Sequence, residues 1–262
     1  MDHHGSESLG NHIPASIRVL TRGGGAVRAT LNGRLYFRII PNVISVERRR
    51  KIIAILLDLA SHKAKSTRRP KVAGGGVRHE TRAGTPSVYA YPRPYKCLRY
   101  AKEGFCGYEG LGRGSGGRGC GPTAWTRDHP ADYQQLVPEI EYFADVFRRK
   151  EPELFEEQMA KATQRPKLTI GCWSQFVANL NFPMTQHVDG NIDYSAQVVF
   201  GDYEGGYLIF PEVACAVALR PTDLLIFDGN RPHGVGPFTG FRLSLVCYLK
   251  ANIFRCPAVP NE

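Results

Sequence analysis

The chain has 262 residues, 42% hydrophobic and 22% charged, a balance that supports one large domain with a buried core and excludes wholesale disorder. Its formal charge is +10, which suggests a polyanionic partner such as nucleic acid. No apolar run approaches the ~20 residues that a membrane-spanning helix needs, and the amino terminus lacks the basic and apolar regions of a secretory signal.

Residues 1–33 are polar and Gly-rich, without a sustained period, and are expected to form a flexible arm. Residues 34–262 are expected to form a single domain, with a helical and basic part over 34–166 and a strand-rich core over 167–252. Leu35–Ile40 reads as a strand. Pro41 and Asn42 punctuate it, and Ser45 can cap a helix running to about His62. Ile52, Ile53, Leu56, Leu57 and Leu59 lie mostly on one face of that helix.

A basic segment follows, containing Lys65, Arg68, Arg69 and Lys71, then three glycines and Arg78. It suits a grip on phosphates, a nuclear localisation signal, or a solvated charge run. Residues 104–121 are Gly-rich and carry Arg113 and Arg118. Such a loop cannot pack a core of its own, but it can approach a ligand backbone closely.

The pattern turns helical from Pro130 to about Thr163. Leu136, Ile140, Phe143 and Phe147 recur at helical spacing, and Pro152 opens a second helix. From Lys167 the chain reads as strands: 168–182, 194–200, 206–210, 215–219, 224–227 and 241–250. Turn residues separate them, as in a sandwich or barrel. The seven cysteines include no Cys-x-x-Cys pair and predict reduced thiols, not a disulfide framework.

Within the strand-rich half, His187-Val188-Asp189 sets two metal-ligand types on alternate positions, and His233 follows several strands later. Two imidazoles and one carboxylate suit the facial triad of a non-haem iron(II) oxygenase. Arg242 then lies in an apolar strand, where a guanidinium needs an anionic partner. Its planar fork suits the far carboxylate of a dicarboxylate cosubstrate.

These residues, with Gly205-Gly-Tyr-Leu-Ile-Phe-Pro211, Pro221-Thr-Asp-Leu-Leu-Ile-Phe227, His233-Gly234 and Arg242-Leu-Ser244, resemble the iron(II)/2-oxoglutarate dioxygenase superfamily. Asn179-Leu-Asn-Phe182, Thr123-Ala-Trp-Thr126 and Pro152-Glu-Leu-Phe-Glu-Glu-Gln158 are similar to its TET/JBP branch, and most like compact fungal or protist TET homologues. The resemblance covers roughly residues 85–252. It implies an α+β fold: a double-stranded β-helix (a cupin-like jelly roll) with helices packed outside the major sheet.

The resemblance also implies iron(II) on His187, Asp189 and His233, and 2-oxoglutarate on Arg242 and Ser244, with dioxygen as the other cosubstrate. It implies a double-stranded methylated DNA substrate, 5-methylcytosine foremost, and base flipping. Thymine, N6-methyladenine or a protein prolyl side chain are the alternative targets, and a jelly-roll module without catalysis is the non-enzymatic one. Tyr248 matches the aromatic that stacks on the flipped base in that branch. Lys250 stands where the family often has histidine, which leaves the base read there open. Asn191 and Asp193 are the further base-reading candidates, and Arg118 another substrate contact. Lys65, Arg68, Arg69, Lys71, Arg78 and Arg113 are expected on the DNA backbone. A monomer in the nucleus, with no membrane association, completes the expectation.

Overall fold

The computed structural model describes residues 18–20, 27–61, 102–111, 120–181 and 184–257. In chain order its elements are β1 (Arg18–Leu20), β2 (Val27–Leu31), β3 (Arg34–Ile40), α1 (Val46–Ser61), β4 (Lys102–Glu109), β5 (Gly121–Pro122), α2 (Ala124–Asp128), α3 (Pro130–Lys150) and α4 (Pro152–Ala162). There follow β6 (Gln175–Leu180), β7 (Met184–His187), β8 (Asn191–Phe200), β9 (Tyr203–Gly205), β10 (Leu208–Phe210), β11 (Cys215–Val217), β12 (Leu224–Asp228), β13 (His233–Val235), β14 (Phe238–Gly240) and β15 (Leu243–Lys250).

The strands form an eight-stranded major sheet, ordered β2-β3-β12-β8-β15-β6-β4-β5, a five-stranded minor sheet, ordered β1-β11-β10-β13-β7, and a two-stranded ribbon of β14 and β9. The fold is the double-stranded β-helix that the sequence motifs imply.

Alternation along the strands divides the core. Ala196, Val198 and Phe200 of β8 and Leu243, Leu245 and Cys247 of β15 face outward and pack with Leu56, Leu136, Phe143 and Phe147 of the helices. On the inner face, Phe37, Leu225 and Phe227 pack against Leu208, Phe210 and Val217 of the minor sheet. The inner face is apolar over β3 and β12 but polar over β6, β15 and β8. Gln175, Asn179, Ser195, Gln197 and Ser244 are all buried there. Burying five uncharged polar side chains inside a barrel is unfavourable unless they meet partners, so this half of the interior is where a ligand belongs.

Helix α1 begins where the sequence reading places it, with Ser45 Oγ accepting from Arg48 N at 3.2 Å. Several expectations need correction. Residues 18–20 and 27–31, read as part of a loose arm, are strands: β1 pairs with β11 in parallel and β2 with β3. The strand core therefore extends beyond 167–252. The long strand expected over 168–182 is interrupted by a turn at Gly171 (φ 55°), and β6 starts only at Gln175.

The Gly-rich stretch read as a loop contributes β4, which pairs with β6. Gly104 lies so close to α1 that a Cβ there would sit 2.1 Å from Leu59 O. The glycine reflects close helix–strand packing, not a ligand approach.

The cysteine reading also fails in part, because Cys120 and Cys256 form a disulfide across a sequence separation of 136 residues. It ties the chain end to the region around β5, where Asn252 Nδ2 also donates to Gly110 O at 3.2 Å. Closing so long a loop restricts the unfolded chain. The Cys120→Ser variant is expected to lose about 2–5 kcal/mol of stability, read as a lower denaturation midpoint that dithiothreitol no longer changes.

Candidate active site

His187 ends β7, Asp189 lies in the loop that follows, and His233 begins β13. Strand pairing brings His233 directly opposite His187. Nε2 of His187 is 3.6 Å from Asp189 Oδ1, and Nε2 of His233 is 3.8 Å from Asp189 Oδ2. All three donor groups lie within 4.8 Å of one another. The donor set fits a borderline divalent ion such as iron(II) held on one face.

The environment orients each donor. His233 Nδ1 lies 2.8 Å from the Arg231 carbonyl; when it carries the proton, Nε2 is left to coordinate. Tyr36 donates its hydroxyl to Pro232 O, steadying the same turn. Asp189 N donates to Gly229 O at 2.9 Å, and Asn191 Nδ2 donates to Asp189 Oδ2 at 3.2 Å. The His187 and Asp189 side chains are 30% and 32% exposed, while His233 is 5% exposed. The cluster is therefore rooted in the barrel and open on one side.

Burial pushes the His233 imidazole down to about 4. The nearby His187 adds to this, against the opposing pulls of Asp189 and the Arg231 carbonyl. The ring is neutral near pH 7, as coordination requires. The folded value lies below the unfolded one, so the unfolded chain binds more protons between them. The metal-free protein is expected to lose stability as pH falls from about 6.5 to about 4, by about 3 kcal/mol from this group. Urea unfolding across that range, compared with His233→Gln, would measure it; an identical slope in the variant would remove His233 as the cause.

Arg242 is only 1% exposed. Its guanidinium carbon is 5.5 Å from the Tyr203 ring centroid and 5.8 Å from that of Phe238. A Cβ at Gly206 would lie 3.1 Å from Arg242 Cδ and Nε, so glycine there admits the guanidinium. Asn181 brackets its backbone: Arg242 N donates to Asn181 Oδ1 at 2.9 Å, and Asn181 N donates to Arg242 O at 2.7 Å. Ser244 and Asn179 stand opposite each other on β15 and β6. Ser244 Oγ and Asn179 Oδ1 are both buried without a hydrogen-bond partner. A buried cation beside an unsatisfied hydroxyl fits a carboxylate-bearing ligand such as 2-oxoglutarate.

Tyr248 is buried on the same strand face, and its hydroxyl donates to Gln175 Oε1 at 2.7 Å. Lys250 Nζ lies 5.3 Å from the Tyr248 ring centroid, and Lys250 pairs across strands with Asn191. Tyr248, Lys250 and Asn191 thus gather at the metal end of the barrel. Asp193 does not join them. A positive φ (50°) turns it aside, and its Oδ2 is 2.5 Å from Lys161 Nζ of α4. In this arrangement the Asp193 carboxylate faces α4 while Asn191 faces the Asp189 carboxylate.

Lys65, Arg68, Arg69, Lys71, Arg78, Arg113 and Arg118 lie outside the described residues. Sequence reasoning gave no role to Gln175, Asn179 or Asn181. Asn179 and Asn181 stood only as part of a family-like motif, and Gln175 carried no signal because its partner is 73 residues away.

A family model described as the oxygenase domain of the 2OGFeDO superfamily, TET/JBP type, matches residues 105–251. Thymine dioxygenase JBP1 of Trypanosoma brucei brucei is 26% identical over 151 residues, covering 53% of this chain and 18% of that protein. Thymine dioxygenase JBP1 of Leishmania tarentolae is 27% identical over 115 residues, covering 42% and 14%. The matched region is less than a fifth of the length of these relatives. The solved structure of NgTET1 in complex with 5mC DNA superposes with a TM-score of 0.56 at 16% identity, covering 83% of this chain and 73% of that one. That likeness establishes a shared fold.

Proposed function

This chain belongs to the TET/JBP family of oxygenase domains in the 2OGFeDO superfamily, and on that premise we propose that it oxidises the 5-methyl group of a pyrimidine in DNA, with 5-methylcytosine as the first substrate. Iron(II) and 2-oxoglutarate are the cofactor and cosubstrate of that superfamily. Together they supply the activation of dioxygen needed to hydroxylate a C–H bond.

The chain's own residues do the rest by binding and orientation. His187, Asp189 and His233 would hold the metal, and the Arg231 carbonyl and Asn191 amide fix two of those ligands in place. Arg242 and Ser244 would hold the far carboxylate of the cosubstrate. Tyr248 offers a ring face for stacking on an extruded base. The Gln175 bond to its hydroxyl holds that ring in one orientation. Lys250 offers a donor beside it. A base paired in a duplex cannot reach a metal inside a barrel, so it must flip out, at a cost of a few kcal/mol. A chain with formal charge +10 can offset that cost through phosphate contacts.

The observation that carries this reading is the convergence of two imidazoles and one carboxylate inside a barrel that also buries Arg242. A second reading, thymine as the substrate base, is favoured by the relatives named thymine dioxygenase. Incubation with iron(II), 2-oxoglutarate and duplexes carrying 5-methylcytosine, thymine or N6-methyladenine, followed by nucleoside mass spectrometry, separates the readings. The expected product is 5-hydroxymethylcytosine. 5-Hydroxymethyluracil as the main product would transfer the assignment to thymine. Hydroxylation of a proline peptide with none of DNA would end the nucleic-acid reading.

A further inference from the structure

A cavity of about 260 Å³ lies at the amino-terminal end of α1, lined by Val46, Arg49, Arg50, Ile53, Phe200 and Pro221. The first turns of α1 run Glu47-Arg48-Arg49-Arg50-Lys51. Cations there oppose the helix dipole and destabilise the helix unless anions meet them. Glu139 meets two of them, with Oε2 2.5 Å from Arg48 Nη1 and Oε1 3.2 Å from Lys51 Nζ. Arg49 and Arg50 have no ion pair among the described residues, and Arg49 Nε is buried without a hydrogen-bond partner.

The surroundings are apolar. Three large hydrophobic side chains are exposed among the described residues, and two of them, Val46 at 53% and Phe241 at 38%, flank this cavity. Phe241 reaches it through Gly201, which also lines the cavity and packs against the Phe241 carbonyl. Cations without an ion pair among the described residues, a cavity and exposed apolar surface therefore coincide in one place.

We propose that this cavity is a docking site for an acidic peptide segment of a partner protein, one that carries a bulky apolar side chain. The apolar side chain fills the space over Ile53, Phe200 and Pro221. Flanking carboxylates meet the Arg49 and Arg50 guanidiniums, whose planar forks suit them. A DNA backbone fits less well, because it has no bulky apolar group to fill the space over the apolar floor. The cavity also stands at the Phe200 end of β8, whereas Asn191 at the other end bonds the Asp189 carboxylate. Nine residues of strand separate them by roughly 30 Å, so the cavity lies at the far end of that strand from the Asp189 loop.

Fluorescence anisotropy with the full chain and a labelled peptide tests this, using a Leu-Phe pair flanked by glutamates. Control peptides replace the pair by serines, or the glutamates by lysines. The acidic apolar peptide is expected to bind at least tenfold more tightly than either control, and the Arg49→Glu/Arg50→Glu variant to lose at least tenfold. That variant is expected to keep its turnover on methylated DNA and to keep or raise its Tm, since acidic residues suit a helix amino terminus. Val46→Ser is expected to weaken binding without touching the charge. Equal binding of all three peptides, or unchanged affinity in the double variant, would overturn the proposal. Displacement of the peptide by a short unmethylated duplex, lost in the same variant, would reassign the cavity to phosphate contacts and overturn it too.

Discussion

Replacing Asp189 by alanine is expected to bring turnover below detection and to weaken divalent metal binding by more than about 100-fold. The carboxylate lies between both imidazoles, with oxygens 3.6 Å and 3.8 Å from their Nε2 atoms. Its loss removes the anionic donor and leaves two neutral ones. Removing a residue that merely orients a ligand costs about 10–100-fold, which is the loss expected of Asn191→Ala, since Asn191 donates to Asp189 Oδ2. Titration with cobalt(II) under anaerobic conditions reads metal affinity independently of activity. Near-native affinity in Asp189→Ala would remove this carboxylate from the metal site.

The second large effect is expected at Arg242. Arg242→Ala should raise the 2-oxoglutarate concentration needed for half-maximal turnover by about 30- to 5000-fold, because truncating one partner of a buried charge pair costs about 2–5 kcal/mol. Metal affinity should stay near native, as Arg242 approaches the barrel from the strand end that holds Ser244 and Asn179. Arg242→Lys should fall between the two, because it keeps the charge but loses the two-pronged geometry. The alanine variant also leaves a void between Tyr203 and Phe238, so stability must be checked in parallel. An unchanged response to 2-oxoglutarate in a folded Arg242→Ala protein would sink the cosubstrate assignment.

These two sites were visible in the chain for different reasons. His187 and Asp189 are two residues apart, so local spacing exposed them. His233 and Arg242 were found through motif order and through chemistry that is unusual in an apolar strand. Gln175 was not found, because its bond to Tyr248 is a cross-strand contact without a local pattern. Asp193 and Asn191 looked equivalent in sequence. Their backbones separate them, since the positive φ of Asp193 turns it toward Lys161 on α4. The glycines of 104–111 read as loop punctuation, because nothing local reveals that a helix will press on Gly104.

By itself the sequence determined the elements with strong periodicity: α1, α3, α4 and the strands around His233 and Arg242. It also determined the types of ligand available for a metal and a dicarboxylate. These depend on side-chain chemistry and on spacing within one element, which the order of residues encodes directly. Only the tertiary structure decided the Cys120–Cys256 bond, the insertion of β4 beside β6, the orphaned Ser244 hydroxyl, and the meeting of Arg49 and Arg50 with an apolar cavity. Each of these is a meeting between segments far apart in the chain, and its energy depends on what the rest of the fold leaves buried and unpaired.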